Sequence, residues 1–155
     1  MGLQDEFSKI YEAFEYALVR DEFRIAASHE ARPDWIKFSQ AVLRDEFFEE
    51  VRLKDLARTL ISKPPRKLLN RDGAAEWDIE VAAVTNTLGL IHAVRQVRHN
   101  LRHGNKYIGD DEEIRRSDAL ISDAINVLNL ALKKSSDALR EQINKRIALF
   151  EQHER

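Results

Sequence analysis

Apolar residues recur along this chain at three- and four-residue steps, the spacing of one face of an α-helix. Phe7, Ile10, Tyr11, Phe14, Ala17 and Leu18 make the first such stripe, which predicts a helix from about Gln4 to Ser28. Pro33 ends it by pushing Arg32 out of the helical region. Asp34 is then a candidate N-cap for a second helix carrying Trp35, Phe38 and Val42. Apolar positions continue through Phe47, Phe48, Val51, Leu53, Leu56, Leu60 and Ile61 in an irregular register, which predicts a break near Arg52. Lys63-Pro64-Pro65-Arg66 is incompatible with helix interior. From there to Trp77 the sequence reads as a connector, with a short helical turn at Lys67–Leu69 and a turn signal at Asn70-Arg71-Asp72-Gly73.

Val81, Val84, Leu88, Ile91, Val94, Val97 and Leu101 predict a third helix from about Trp77 to His103, stopped by Gly104-Asn105 as a left-handed cap. A polar loop with the acidic run Asp110-Asp111-Glu112-Glu113 follows. The last stripe runs from Ile114 through Ile121, Ile125, Leu128, Leu132, Leu139, Ile143 and Ile147 to Phe150, with Ser135-Ser136-Asp137 able to re-cap and kink it. Unbroken from Glu113 to Gln152, that helix spans ~60 Å against ~40 Å for the third. Its tail is therefore expected to pack on a second chain or on a folded-back second helix. Long amphipathic helices without a convincing strand predict an all-α fold, an up-and-down bundle of four to five helices with a long C-terminal helix.

Composition narrows the class. A chain of 155 residues fits one domain, residues 1–155, with a sizeable core. Five Gly and three Pro are few for a turn-rich β fold. The net charge of −2 excludes nucleic-acid binding by bulk charge, so any such binding needs a local basic patch. Without cysteine there is no disulfide, thiolate nucleophile or thiolate-ligated zinc. No apolar run reaches membrane-span length, and the polar, acidic start Met1–Glu6 fits neither a signal peptide nor a myristoylation site. The expectation is a cytoplasmic protein without a membrane partner.

One local patch does exist. From His92 to Gly109 there is no acidic residue, while Arg95, Arg98, Arg102 and Lys106 share the stretch with His92, His99 and His103. On a helix the three arginines fall in one sector and the histidines in the next, opposite Val94, Val97 and Leu101. Most charged runs merely solvate a helix. This one stands apart because helices elsewhere in the chain mix acids with bases, and because His103 sits at a helix C-terminus, where the macrodipole favours a cation. The four-residue spacing of His99 and His103 suits a metal, yet three arginines nearby repel one. Phosphate is the better match, and no metal is expected.

Arg98-His99-Asn100-Leu101-Arg102-His103-Gly104 resembles the Arg-Asn-Asn-Leu-Phe-His-Gly form of the HEPN signature, Arg-x4–6-His. HEPN domains are helical ribonucleases of toxin–antitoxin, abortive-infection and CRISPR systems. The bare spacing also occurs at Arg24/His29 and Arg146/His153, so the shared Asn100, Leu101 and Gly104 carry the likeness. His99 stands where the family usually has Asn or Asp, and Arg102 where it has an apolar or aromatic residue.

The resemblance implies a metal- and cofactor-independent endoribonuclease whose site forms where two copies meet in a homodimer, with an antitoxin or other regulatory protein as a further partner. Arg98 and His103 are then catalytic, with Asn100 orienting the histidine or capping backbone. His103 is placed to take the proton of an RNA 2′-hydroxyl, and Arg98 to hold the phosphate oxygens. His99, or a histidine of the second copy, protonates the leaving oxygen. Arg95, Arg102 and Lys106 track flanking phosphates, and Tyr107 stacks a base. The alternative is a HEPN-like module that binds RNA or protein without turnover.

Overall fold

A computed structural model describes residues 2–78, 81–103 and 111–153. The elements in chain order are α1 (Leu3–Arg20), α2 (Trp35–Phe38), a π-helical turn (Ser39–Leu43), α3 (Arg44–Leu53), α4 (Arg58–Ser62), β1 (Leu68–Arg71), β2 (Ala74–Trp77), α5 (Thr87–Arg102), α6 (Asp111–Lys134) and α7 (Asp137–His153). This is an all-α bundle carrying one small hairpin. Among the described residues the buried apolar side chains join in a single cluster, and no helix is long and apolar enough to cross a membrane.

The first stripe is buried as its spacing predicts, with Phe7, Phe14, Ala17 and Leu18 fully inaccessible. The helix nevertheless ends at Arg20, not near Ser28. The next stripe positions are Asp21 and Glu22, and a continued helix would aim their charges at the core. Instead the chain turns back on itself through Ile25 N–H to Arg32 O (2.9 Å) and Asp34 N–H to Phe23 O (2.8 Å). That reversal drives Phe23 into the core, edge-on to Phe38 at 5.5 Å.

Asp34 does cap α2, accepting from Lys37 N–H at 2.9 Å. Trp35 stacks on Tyr11 and Phe14. The irregular register further on has a physical form. Buried Phe38 and Leu43 stand five residues apart across the π turn, which begins at the buried Ser39. Arg44 follows at φ 62°. Thr87, from the start of α5, stitches this bulge: its hydroxyl donates to Arg44 O (2.6 Å) and accepts from Phe48 N–H (3.1 Å). A second break follows α3, which ends at Leu53 beside the expected Arg52. Asp123 on α6 then caps α4, accepting from Thr59 and Leu60 N–H at 2.9 and 3.0 Å.

The connector is a hairpin, contrary to the expected helical turn at Lys67–Leu69. β1 and β2 pair antiparallel with Arg71 opposite Ala74. Asp72 and Gly73 have φ of 50° and 82°, the positive pair a two-residue hairpin turn requires. Both strands are mostly exposed, so neither shows the apolar alternation of a half-buried strand.

The helix expected from Trp77 begins ten residues later, at Thr87. Trp77 is in β2 and residues 81–85 are irregular. Asn86 supplies the N-cap, its Oδ1 accepting from Gly89 N–H at 2.7 Å. Val81 and Val84 fell on the helical register without being helical. Val84 is tied to α4 by its N–H to Ile61 O (2.8 Å) and packs on the core from there.

The long C-terminal helical run bends at Ser135-Ser136. Ser135 Oγ donates to Ala131 O (2.8 Å), Ser136 Oγ accepts from Leu139 N–H (3.2 Å), and the Arg140 guanidinium binds the carbonyls of Leu132, Lys133 and Ser135. The tail therefore finds its partner within its own chain. α7 lies on α1 rather than on the second helix, with Arg146 over the Tyr16 ring at 4.4 Å. α1 in turn packs on α6 and α5, and this last contact positions the site.

Candidate functional site

α5 buries Leu90, Ile91, Ala93, Val94 and Val97, which turns His92, Arg95, His99, Arg102 and His103 outward. These five, with Arg98, line a cleft of about 910 Å³. Its other walls come from α1 (Tyr11, Glu15), from the segment entering β1, and from residues 81–85. The arginine and histidine sectors read from the sequence thus meet in one open cavity.

At its C-terminal end the His99 and His103 rings lie 4.4 Å apart, tilted by 41°. Both side chains are exposed. His103 is the cap residue of α5, its N–H bonded to His99 O at 3.1 Å, so the helix end fixes the pair one turn apart. Gly104, Lys106, Tyr107 and the acidic run beginning at Asp110 lie outside the residues, or side chains, that are described.

Arg98 points inward. Its Nη2 donates to Glu12 Oε1 at 2.6 Å and its Nη1 to Ser8 Oγ at 2.8 Å. The side chain is 12% exposed, against 44% for Glu12. Its buried Nε has no bonding partner among the described residues. Asn100 does not touch the cleft. Its Nδ2 donates to Arg66 O (3.0 Å) and its Oδ1 accepts from Gln96 (2.8 Å). Of its two expected roles, backbone capping is the one seen, and it anchors α5 to the chain entering the hairpin.

Sequence spacing missed the residues that α1 contributes. Ser8, Glu12 and Glu15 follow one another at four- and three-residue steps and face the arginines of α5. The basic stretch is acid-free along the chain but not in space. Burial pushes the Glu15 carboxyl above its ordinary 4.5, with Glu12 adding to the rise, while Arg98, Arg102 and Arg95 oppose it. Burial, then Glu15, drive the Tyr11 hydroxyl up to about 12, although Arg95 bonds it. At the opposite end, burial first, then Arg95 and Lys67, hold His92 below its ordinary 6.5. A hint was present in α1: Glu12 and Glu15 flank the apolar stripe, at positions that adjoin a packed neighbour.

Among the described residues no group of three or more His, Asp or Glu side chains is gathered in a way that could hold a metal ion. Chemically, the cleft offers exposed guanidinium groups for an anion and an imidazole pair for proton transfer. No protein-family model, curated protein or solved structure matches the chain.

Proposed function

We propose that the cleft binds RNA and cleaves it without a metal ion. One observation supports this above the others: two exposed imidazoles 4.4 Å apart, at the end of a cleft lined by Arg95, Arg98 and Arg102. Cleavage needs a base to take the 2′-hydroxyl proton and an acid to protonate the departing 5′-oxygen. An ordinary imidazole does either near pH 7, with an unperturbed pKa of ~6.5. His103 takes the first role and His99 the second. The 2′-oxygen forms its bond to phosphorus as the P–O5′ bond breaks, leaving a 2′,3′-cyclic phosphate and a 5′-hydroxyl. Exposed Arg102, and Arg95 beside the Tyr11 hydroxyl, face the cleft and meet the phosphate charge. Arg98, held by Glu12 and Ser8, acts as a positioning residue that fixes α5 against α1. A homodimer that joins two such clefts belongs to the same proposal and follows from the HEPN resemblance.

The engagement of Arg98 by Glu12 and Ser8 favours a second reading, in which the cleft binds RNA without turnover. Incubation of RNA with the protein in EDTA separates them: cleavage to cyclic-phosphate ends supports the ribonuclease, and retention of intact RNA the binding module.

A further inference from the structure

We propose that the end of the cleft nearer the start of α5 is a nucleobase subsite, in which an unpaired base stacks on the His92 imidazole. The inference rests on the RNA-binding reading above and specifies its substrate as single-stranded.

The cleft changes character along its length. His99 and His103 sit beside Arg102 at one end, whereas at the start of α5 Gly89, one turn before His92, lies against Val84, and Lys67 is the one charged lining residue outside α5 and α1. His92 precedes His99 by seven residues, two helical turns or ~10.5 Å along the same face. A phosphate at the imidazole pair thus leaves an adjoining nucleotide running towards His92. The side chain is exposed, so its ring face is reachable. Burial, Arg95 and Lys67 all disfavour its cation, which lowers the cost of covering the ring with a base. Residues 81–85, outside the hairpin ladder, form part of the cleft wall. Gly89 keeps this wall close: a Cβ there would meet Asn86 Oδ1 at 3.2 Å and Val84 Cγ1 at 3.4 Å. Bases inside an A-form duplex are already stacked and their edges hidden, so such a subsite selects unpaired RNA.

Titration of the full chain at pH 7 with ribose 5-phosphate and with each of the four nucleoside 5′-monophosphates tests the subsite. At least one nucleotide should bind about 10-fold tighter than ribose 5-phosphate, the scale of one base–ring stack. His92→Ala should erase that difference and leave ribose 5-phosphate affinity unchanged, while His92→Phe should retain it. Equal affinities in the wild type, no binding of either ligand, or an equal loss for both ligands in His92→Ala overturns the subsite. RNA cleavage is read separately, so a protein that prefers nucleotides but leaves RNA intact contradicts the ribonuclease and not the subsite.

Discussion

Arg98, largely buried, and Glu12, half-exposed, form an ion pair, Nη2 to Oε1 at 2.6 Å, that fastens α5 to α1. Ser8 holds the second terminal nitrogen, so the guanidinium spends both ends on its own chain. The arginine of the signature-like segment is therefore a structural joint as well as a member of the cleft.

Arg98→Ala should cost about 2 kcal/mol of stability, since charge-assisted bonds exceed neutral ones while the 44% exposure of Glu12 screens the loss. Urea unfolding measures it. Glu12→Gln should cost less, and the double variant should fall short of the sum by about 1 kcal/mol. Strict additivity would show that the pair is not formed in solution. Loss of any activity in Arg98→Ala must accordingly be judged beside its stability.

Thr87→Val tests the stitch across the π turn. The valine keeps the shape but strands the buried Phe48 N–H and the Arg44 carbonyl. A loss of about 2 kcal/mol is expected, with Thr87→Ser retaining most of the stability. Equal stability of wild type and the valine variant would mean that water or a relaxed backbone replaces the hydroxyl.

Glu15 links stability to pH. Burial raises its folded pKa above 4.5, so above that pH the native state holds more protons than the unfolded chain. Stability contributed by the protonated form is thus full below 4.5 and falls as pH rises through the folded value. Glu15→Gln removes this loss, and its advantage over wild type should grow from pH 4.5 towards 7 in thermal or urea unfolding. His92, with a lowered pKa, works in the opposite sense, losing stability as pH falls below 6.5. Parallel wild-type and Glu15→Gln curves across this window would show that Glu15 is solvated.

The sequence made the helical class legible because burial imposes a 3.6-residue period that survives in Phe7, Phe14 and Leu18 or in Ile121, Leu128 and Ile143. It misplaced ends where another force took over. Asp21 and Glu22 stopped α1, Asn86 started α5, and the exposed hairpin carried no periodic signal beyond Asp72-Gly73. The outward face of α5 was readable, since His99, Arg102 and Arg95 sit on one helix whose geometry fixes their neighbours. The acids of α1 were not. Arg98 meets Glu12 across 86 residues of chain, a pairing that only tertiary packing decides.

The most direct test follows a defined single-stranded RNA, incubated in EDTA with wild type, His103→Ala and His99→Ala, and resolves both the cut sites and the chemistry of the ends. Both histidines are exposed, so both variants should fold. The proposal predicts wild-type cleavage to 2′,3′-cyclic phosphate and 5′-hydroxyl ends, reduced at least ~100-fold in each variant. Intact RNA with the wild-type protein, cleavage only when a metal is supplied, or undiminished cleavage in His103→Ala would contradict it.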